Sequence, residues 1–279
     1  MIKLNNYIKK LFLQKSNSYH IIKKLLFEKN GIEIGGPSKL FFKNDIFPIY
    51  SIAKNIDNCN FSNTTVWEGK IVEGNTFRFN KKRPPGYQYL QDSTQLTAIK
   101  SSEYDFLLSS HVIEHIANPI KALIEWKRIL KDDGVLIIVF PHKDGTFDHR
   151  RSVTTLNHLK EDFSSNISEY DLTHLDEILE LHDLKKDLAA GDFESFKTRS
   201  LNNFKNRCLH HHVFDSYLAM NLIDHLKFEI LSIEALLPYH IILIAKKSND
   251  FDNKKIFNLF YNGSIFSPFP TDQAKQKKL

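Results

Sequence analysis

Residues 104–141 constrain the fold more than any other part of this 279-residue sequence. Residues 104–108 have the composition of a buried strand. The pair Asn118-Pro119 predicts a helix start, because Asn caps a first turn and Pro fits its first position. Residues 132–134 (Asp-Asp-Gly) predict the helix end, with the glycine in the left-handed conformation. Residues 135–140 are continuously apolar, which is typical of a strand buried on both faces of a parallel sheet.

The alternation of strand, loop and helix extends from residue 31 to residue 141 and predicts a doubly wound, mostly parallel α/β sheet. Residues 228–236 and 240–246 predict an antiparallel pair that completes it. Residues 142–212 interrupt this pattern with polar, helix-like sequence, which predicts a helical cap over the carboxyl edge of the sheet. The predicted division is a basic helical segment (1–29), a core (30–141 and 213–247), the cap (142–212) and a loosely held C-terminal tail (248–279).

The composition narrows the class of protein. Hydrophobic residues make up 42% and charged residues 25%, the balance of a soluble globular protein. No apolar run approaches the roughly 18 residues needed to cross a bilayer, and no signal peptide is visible, so no integral membrane segment is expected. Two cysteines, Cys59 and Cys208, are too few for a disulfide framework and favour a reducing, cytoplasmic location. The net charge of +5 is mild, so no nucleic-acid partner is expected.

A glycine-containing turn, Gly35-Gly36-Pro37-Ser38, follows the first predicted strand. Adjacent glycines let the backbone approach a ligand closely, and Glu33 before them can hold a cationic or hydroxylated group. Open α/β sheets bind ligands outside the carboxyl ends of their strands, where this turn is expected. The dinucleotide fingerprint G-x-G-x-x-G is incomplete, because Ser38 stands at its last glycine. A tight structural turn is the alternative.

Residues 104–119 (YDFLLSSHVIEHIANP), 128–134 (RILKDDG) and 135–141 resemble class I S-adenosylmethionine (SAM)-dependent methyltransferases. The similarity lies in the fourth strand of that fold, the Glu-His turn after it and the R-x-L-K-x-x-G end of the next helix. It covers residues 31–141 and the closing helix and strand pair at 214–246. The resemblance implies a seven-stranded Rossmann-like sheet with an antiparallel last strand, and SAM as cofactor.

The resemblance also implies which residues bind SAM. Glu33 takes the place of the acid in the first motif, and the turn after it approaches the methionine part of SAM. Asp57 is the candidate for the acid that binds the ribose hydroxyls, with Glu68 as its rival, and Asp92 takes the place of the partner of the adenine amino group. The family usually has further glycines where this chain has Pro37 and Lys39. The implied cofactor-binding residues are Glu33, Gly35, Gly36, Pro37, Ser38, Asp57, Asp92, Ser93, Ser110 and His111.

The motif His111-x-x-Glu114-His115 also matches the H-x-x-E-H motif of inverted zinc peptidases. That interpretation is disfavoured, because those enzymes need both histidines on one face of a helix, whereas this motif follows a strand and precedes an Asn-Pro break. A divalent metal bound by the turn, as in some methyltransferases of this fold, is possible but not favoured. The alternative is a turn held by hydrogen bonds, and no metal ligand is assigned.

Histidines, carboxylates and arginines follow the strand at 135–140 and provide candidates for the chemistry. His142, Asp148 and His149 can act as general bases near neutral pH, and Arg150 and Arg151 can bind a phosphate or carboxylate. Because three adjacent histidines cannot all face one point, only one or two of residues 210–212 are expected in the acceptor pocket. The candidate catalytic residues, in order, are His115, His149 and His142, and the candidate acceptor-binding residues are Arg150, Arg151 and His211.

Segments of this insertion, FDHRR-VTTL-HL and NRCLHHHVFD, resemble methyltransferase-domain proteins associated with bacterial surface-polysaccharide machinery. The implied function is SAM-dependent O-methylation of a sugar, a nucleotide-linked sugar or a phosphate- or phosphoramidate-type group used in capsule or surface glycan biosynthesis. The expected partner is a small-molecule or glycan-precursor acceptor, and a homodimer is possible. The alternatives are a non-catalytic binding module with the same fold and a nucleotide-sugar oxidoreductase.

Overall fold

The computed structural model describes residues 16–276, and an eight-stranded sheet forms their centre. In chain order its strands are β1 (Asn30–Ile34), β2 (Asn55–Asn60), β5 (Gly74–Phe77), β6 (Gly86–Leu90), β7 (Tyr104–Ser110), β8 (Leu130–Pro141), β9 (Glu229–Leu236) and β10 (His240–Lys246), while β3 (Thr64–Thr65) and β4 (Gly69–Lys70) form a separate hairpin. The helices are α1 (Tyr19–Leu26), α2 (Pro119–Ile129), α3 (Leu156–Ser164), α4 (Leu175–Leu181), α5 (Phe193–Leu201), α6 (Asn203–Asn206), α7 (Ser216–His225), α8 (Lys254–Tyr261) and α9 (Pro270–Gln276).

The spatial order of the strands is β5-β6-β2-β1-β7-β8-β10-β9. Strands β6, β2, β1, β7 and β8 run parallel, while β10 is antiparallel to both of its neighbours. The predicted mostly parallel α/β sheet with an antiparallel strand near its end is therefore confirmed. The sheet has one strand more than expected, because β5 pairs antiparallel with β6 at the edge. Buried Phe77 anchors this added strand in a segment with little strand signal.

Side chains alternate between the two faces of the sheet and bury a hydrophobic core on each. Leu107 packs on the face covered by α2, α7 and α8, where Trp126 is fully buried. Phe106 and Leu108 pack on the opposite face, against α1 and the segment 41–53. Because both faces are covered, residues 135–141 of the central strand β8 are all apolar and buried. The sheet is doubly wound, as the sequence predicted.

The start of α2 follows the sequence prediction, whereas its end does not. The Asn118 side chain accepts a hydrogen bond from the Lys121 backbone N–H at 3.0 Å, and Pro119 occupies the first turn. The left-handed residue beyond the helix is Asp133, with φ of 60°, so the prediction for Gly134 was wrong by one position. Strand β8 already begins at Leu130, and the predicted stop signal is an irregularity within its pairing.

The two ends of the chain have different outcomes. The predicted basic segment (1–29) is described from residue 16 onward, where it contains α1, and residues 1–15 lie outside the described residues. The predicted loosely held tail is wrong for the part that the structure shows, because α8 and α9 pack on the core and bury Phe260 and Asp272. Within residues 16–276, no helix combines the length and apolar character needed to cross a membrane.

His142, which the sequence predicted as a catalytic residue, is buried in this tail contact. Its ring has no solvent exposure and stacks on Phe269 with 3.9 Å between the ring centroids. Its Nε2 lies 3.2 Å from Asp272 Oδ1. The Asp272 carboxylate also accepts hydrogen bonds from the hydroxyls of Ser216 at 2.6 Å and Ser267 at 2.7 Å. The His142 side chain therefore packs against the C-terminal segment that contains Phe269 and Asp272.

We predict that Asp272→Ala lowers the free energy of unfolding by about 3 kcal/mol, because removing one partner of a buried polar pair leaves the other unpaired. Asp272→Asn keeps an acceptor for the serine hydroxyls and should cost clearly less. Urea denaturation followed by circular dichroism measures both variants. A loss below about 1 kcal/mol for Asp272→Ala, the size of one ordinary hydrogen bond, would contradict a structural role for this carboxylate.

Candidate active site

A cavity of about 670 Å³ opens at the carboxyl ends of β1, β2, β6 and β7. The chain leaves β1 toward β2 on one side and returns to β7 on the other, so this edge lies at a topological switch point, where open α/β sheets bind ligands. The β3–β4 hairpin and the segment 145–210 supply the remaining walls. The lining includes Gly35, Ser38, Asn60, Trp67, Glu68, Asp92, Ser110, His111, Glu114, His115, Phe147, Lys186, Arg199, Arg207 and His210.

The glycine turn after β1 brings backbone to the cavity wall. Gly35 has φ of +81°, and a Cβ there would lie 2.4 Å from Val112 Cγ2, so only glycine fits. Asn58 fixes the turn, because its Oδ1 accepts from the Gly36 N–H at 3.0 Å and its Nδ2 donates to the Gly36 carbonyl at 3.1 Å. Pro37 and Ser38 also line the cavity, whereas Gly36 does not.

Glu33 lies beneath this turn and does not line the cavity. Its carboxyl accepts a hydrogen bond from the Ser38 N–H at 2.9 Å and pairs with the Tyr50 hydroxyl. Burial raises the pKa of Glu33 to about 8, although both hydrogen bonds act in the opposite direction. Glu33 therefore supports the turn from beneath, whereas the resemblance implied a direct contact with SAM.

Asp57 is also displaced from its expected role. It pairs with Ile32 in the middle of β1, three residues before the end of β2, and it does not line the cavity. Its carboxylate accepts from the Tyr87 N–H at 2.7 Å and the Tyr104 hydroxyl at 2.7 Å. Asn60 stands at the strand end instead and lines the cavity, as does Glu68 from the β3–β4 hairpin. Burial raises the pKa of Glu68.

Asp92 and Ser93 line the cavity beyond β6, where the sequence placed them. Asp92 accepts from the Thr94 N–H at 2.8 Å and its hydroxyl at 2.7 Å, and it pairs with Arg207 at 3.1 Å. Burial alone would raise the pKa of Asp92, but these partners lower it, so the side chain is an ionised acceptor at neutral pH.

Ser110 and His111 line the cavity at the end of β7. The Ser110 hydroxyl is buried and has no hydrogen-bond partner among residues 16–276. His111 has φ of 53°, and its Nε2 lies 3.0 Å from His240 Nδ1. Burial lowers the pKa of His111 to about 3, so its ring is neutral. An unpaired hydroxyl and a neutral imidazole at this point suit a polar ligand.

Three further side chains converge on the cavity from different parts of the chain. His115 Nδ1 lies 3.1 Å from the Leu209 carbonyl, and His210 Nδ1 lies 2.5 Å from Asp148 Oδ2. The Nε2 atoms of both rings lie 4.0 Å from Glu114 Oε1. With Nδ1 donating to an oxygen, each ring presents Nε2 as a free acceptor of a proton or a ligand for an ion.

The charges around these rings differ. Burial lowers the pKa of His115 well below its ordinary value. Burial acts in the same direction on His210, but the Asp148 carboxylate outweighs it and raises the pKa. Burial raises the pKa of Glu114 to about 7. His210, held and polarised by an ionised Asp148, is therefore the more basic imidazole on the cavity wall.

The other predicted catalytic and acceptor residues lie away from the cavity lining. His149 Nε2 lies 3.0 Å from Asp183 on the outside of the cap, and exposed Arg150 approaches the same carboxylate at 3.7 Å. Arg151 is buried and donates to Asp148 at 3.1 Å and to the His210 carbonyl at 2.8 Å. His211 Nε2 lies 3.0 Å from Asn203 Nδ2. None of these four predicted residues lines the cavity, although Arg151 contacts it indirectly by holding Asp148 in place.

Sequence reasoning did not single out His210 and Asp148 as a pair. They are 62 positions apart, so no local spacing joins them. It also passed over Lys186, Arg199 and Arg207, which are scattered among the polar residues of the cap yet line the cavity. The segment Ile113–His115 forms a single 3₁₀ turn, not the helix that the zinc-peptidase interpretation needs.

Glu114, His115 and His210 each offer an atom within 4.8 Å of the others, a spacing that a metal ion could bridge. The donor set of one carboxylate and two imidazoles suits several transition metals. A metal at this turn therefore stays an alternative prediction, as it was from the sequence.

We predict that the buried Glu33 makes stability fall with rising pH. Its pKa is raised from about 4.5 to about 8 on folding, so its stabilisation is fully present below the lower value and lost as pH rises through the upper one. Glu33→Gln keeps the shape without the ionisation and should flatten the curve by up to about 1.4 kcal/mol per pH unit in this range. Urea denaturation of both proteins between pH 5 and pH 9 tests this. Parallel curves would contradict a raised pKa.

Comparison with known proteins provides the family. A methyltransferase domain model matches residues 29–188. Among solved structures, a SAM-dependent methyltransferase from Aquifex aeolicus is 12% identical with a TM-score of 0.42, covering 86% of this chain and 97% of that one. One from Methanosarcina mazei is 15% identical with a TM-score of 0.46, covering 85% and 100%.

A SAM-dependent methyltransferase from Mesorhizobium loti is 11% identical with a TM-score of 0.45, covering 83% of this chain and 98% of that one. No curated protein matches the chain. Because the family match spans more than half of the chain, the protein belongs to the methyltransferase domain family, whose methyl donor is S-adenosylmethionine.

Proposed function

We propose that this protein methylates an oxygen atom of a sugar, a nucleotide-linked sugar or a phosphate- or phosphoramidate-type group, with SAM as donor. The observation that carries the proposal is one cavity that joins the glycine turn and Asp92 on one side to the His210–Asp148 pair on the other. A role in capsule or surface glycan biosynthesis rests on the resemblance of the cap segments alone, and we expect a cytoplasmic enzyme acting on a glycan precursor.

The residues on the sheet side of the cavity fit SAM. The turn at Gly35 brings backbone to the cavity wall, and the Ser110 hydroxyl lacks a partner within the described chain. The ionised Asp92 can accept from an amino group, and the cavity is of the size that binds drug-sized ligands, about 300–1,000 Å³. When bound, SAM would supply an electrophilic methyl carbon to an acceptor oxygen placed in line with it: a C–O bond would form, the methyl–sulfur bond would break, and S-adenosylhomocysteine would leave.

The cap side of the cavity suits an anionic or hydroxylated acceptor. Arg199 and Arg207 line it, already paired with Asp187 at 2.9 Å and Asp92 at 3.1 Å respectively. Lys186 lines it too, and its ammonium makes no ion pair within residues 16–276. Trp67 is 54% exposed and its ring lies 5.2 Å from that of His115, so a flat apolar surface borders the polar wall. Together these groups can bind a phosphate or carboxylate beside a sugar ring.

His210 is the group best placed to accept the proton of an acceptor hydroxyl. Its Nδ1 faces Asp148, which leaves Nε2 toward the cavity. Arg151 donates to both Asp148 and the His210 carbonyl, so the ring orientation is fixed before any ligand binds. A positioned general base contributes about 10²–10⁴-fold, whereas alignment of reactants can supply about 7–11 kcal/mol, so alignment remains the larger effect.

We predict that SAM binds the purified protein and that Asp92→Ala weakens its affinity by about tenfold, the loss expected for one hydrogen bond to a charged group. Asp57→Asn is the matched control and should bind SAM within twofold of the wild type, because Asp57 lies off the cavity. Isothermal titration with SAM and with NAD measures this. Binding of NAD but not SAM would support the oxidoreductase alternative, and equal affinity of both variants and wild type would remove Asp92 from the site.

We predict that His210→Ala lowers turnover by about 10²-fold or more with an unchanged dissociation constant for SAM. Asp148→Asn should lower turnover less, because it removes the orienting charge and keeps the imidazole. His149→Ala, a change of the same type on the outside of the cap, should retain turnover.

The assay uses methyl-labelled SAM with neutral sugars, nucleotide-linked sugars and sugar phosphates, and mass spectrometry identifies the methylated product. Loss of turnover in His115→Ala but not in His210→Ala would restore the sequence-based ranking. SAM binding without transfer to any acceptor of the panel would favour the non-catalytic module.

A further inference from the structure

A second cluster of ligating side chains lies outside the cavity, where the cap meets the core. His158 and Asp162 are four positions apart on one face of α3, and His212 comes from the segment that also carries His210. Each of the three offers an atom within 4.8 Å of the other two. None of the three lines the cavity, so the proposed methyl transfer does not account for them.

The spacing of these atoms matches the coordination shell of a small transition-metal ion. His158 Nε2 lies 3.4 Å and His212 Nε2 lies 3.7 Å from Asp162 Oδ2. Zinc holds nitrogen and oxygen ligands at about 2.0–2.2 Å in a tetrahedron, which puts neighbouring ligand atoms about 3.4 Å apart. His158 Nε2 and His174 Nε2 share a hydrogen bond at 2.9 Å, which metal binding at His158 would replace, and the same proximity would let His174 serve as a fourth ligand.

The local hydrogen bonding leaves the carboxylate without a partner. Asp162 Oδ2 is buried and accepts no hydrogen bond from any described residue. Of the two imidazoles beside it, His212 points Nε2 at the Ala117 carbonyl at 3.2 Å, and metal binding would replace that contact. A buried carboxylate oxygen without a donor is costly unless a cation satisfies it.

We propose that His158, Asp162 and His212 bind a divalent transition-metal ion, with zinc the best fit to two imidazoles and one carboxylate. The side chains of His158 and His174 are 33% and 26% exposed, so solvent reaches the site. The site stands apart from the proposed active-site residues and does not depend on the methyltransferase reaction.

Bound metal would fasten α3 to the segment that carries His210. The His211 N–H donates to the Glu114 carbonyl at 2.9 Å, and this backbone contact already ties the segment to the turn after β7. A metal on His212, one residue further, would add a second attachment from the cap side. Its role is therefore structural: it holds the wall of the cavity that includes His210.

The test uses the full chain, stripped with EDTA and then titrated with Zn²⁺ by calorimetry, with metal content measured by plasma mass spectrometry after gel filtration. Wild type should retain zinc after gel filtration. His158→Ala and Asp162→Asn should each lose one equivalent relative to wild type and weaken the affinity by at least tenfold. His20→Ala, the same substitution at an exposed histidine, should keep the wild-type stoichiometry.

Glu114→Gln distinguishes this site from the active-site turn, because it removes the carboxylate of the other candidate group and should retain the ion. Circular dichroism checks that each variant is folded. If His158→Ala is unfolded, the zinc binding of the near-isosteric Asp162→Asn decides the test. Absence of zinc in wild type, wild-type binding by Asp162→Asn, or loss of zinc in Glu114→Gln alone would each overturn the proposal.

Discussion

Parallel pairing around β1 is the constraint on which the rest of this structure depends. Ile34 is aligned with Cys59 on one side and with Ser109 on the other, so three strands reach the same edge together. A parallel sheet must return its chain by crossovers, and the change of direction between β1 and β7 leaves a crevice that no crossover fills. The glycine turn, Asn60 and Ser110 are neighbours because of this alignment, although they are far apart in sequence.

The cap completes the cavity with groups whose charges are already matched. Arg151 is buried and finds acceptors in Asp148 and in the backbone at His210, so Asp148 can stay ionised inside the protein. An ionised Asp148 in turn fixes the ring of His210. Arg207 joins the two halves of the cavity in the same manner, because it pairs with Asp92 of the core and with Glu169 of the cap. The wall of the site is therefore organised by ion pairs that cross from one part of the chain to another.

How much of this could be predicted from the sequence depends on whether the signal is local. The strand at 104–108, the Asn118 helix start and the helix that follows could be predicted because each depends on its own local residues. Asp92, Ser93, Ser110 and His111 were predicted as site residues and line the cavity, because they lie at or just after strand ends. Asp57 was predicted at the cavity but lies three residues before the end of β2. Because β2 is mostly polar, its hydrophobic pattern does not show where the strand ends. Strand β5 was not predicted for the same reason, because only one of its four side chains is buried and it has no hydrophobic pattern.

The local sequence does not show which of the thirteen histidines is the catalytic base. His142 follows the end of β8, a position where a catalytic residue would be expected. Its ring instead contacts Asp272 of α9, which comes more than a hundred residues later, and it does not line the cavity. His210 is one of three consecutive histidines, and its contact with Asp148 is what distinguishes it from the other two. The function of an imidazole depends on what each ring nitrogen contacts, and those partners come from tertiary structure. In this fold a histidine can serve as base, packing element or ligand with no change in its local sequence, so the contacts of the ring, more than its position in a motif, identify the residue that does the chemistry.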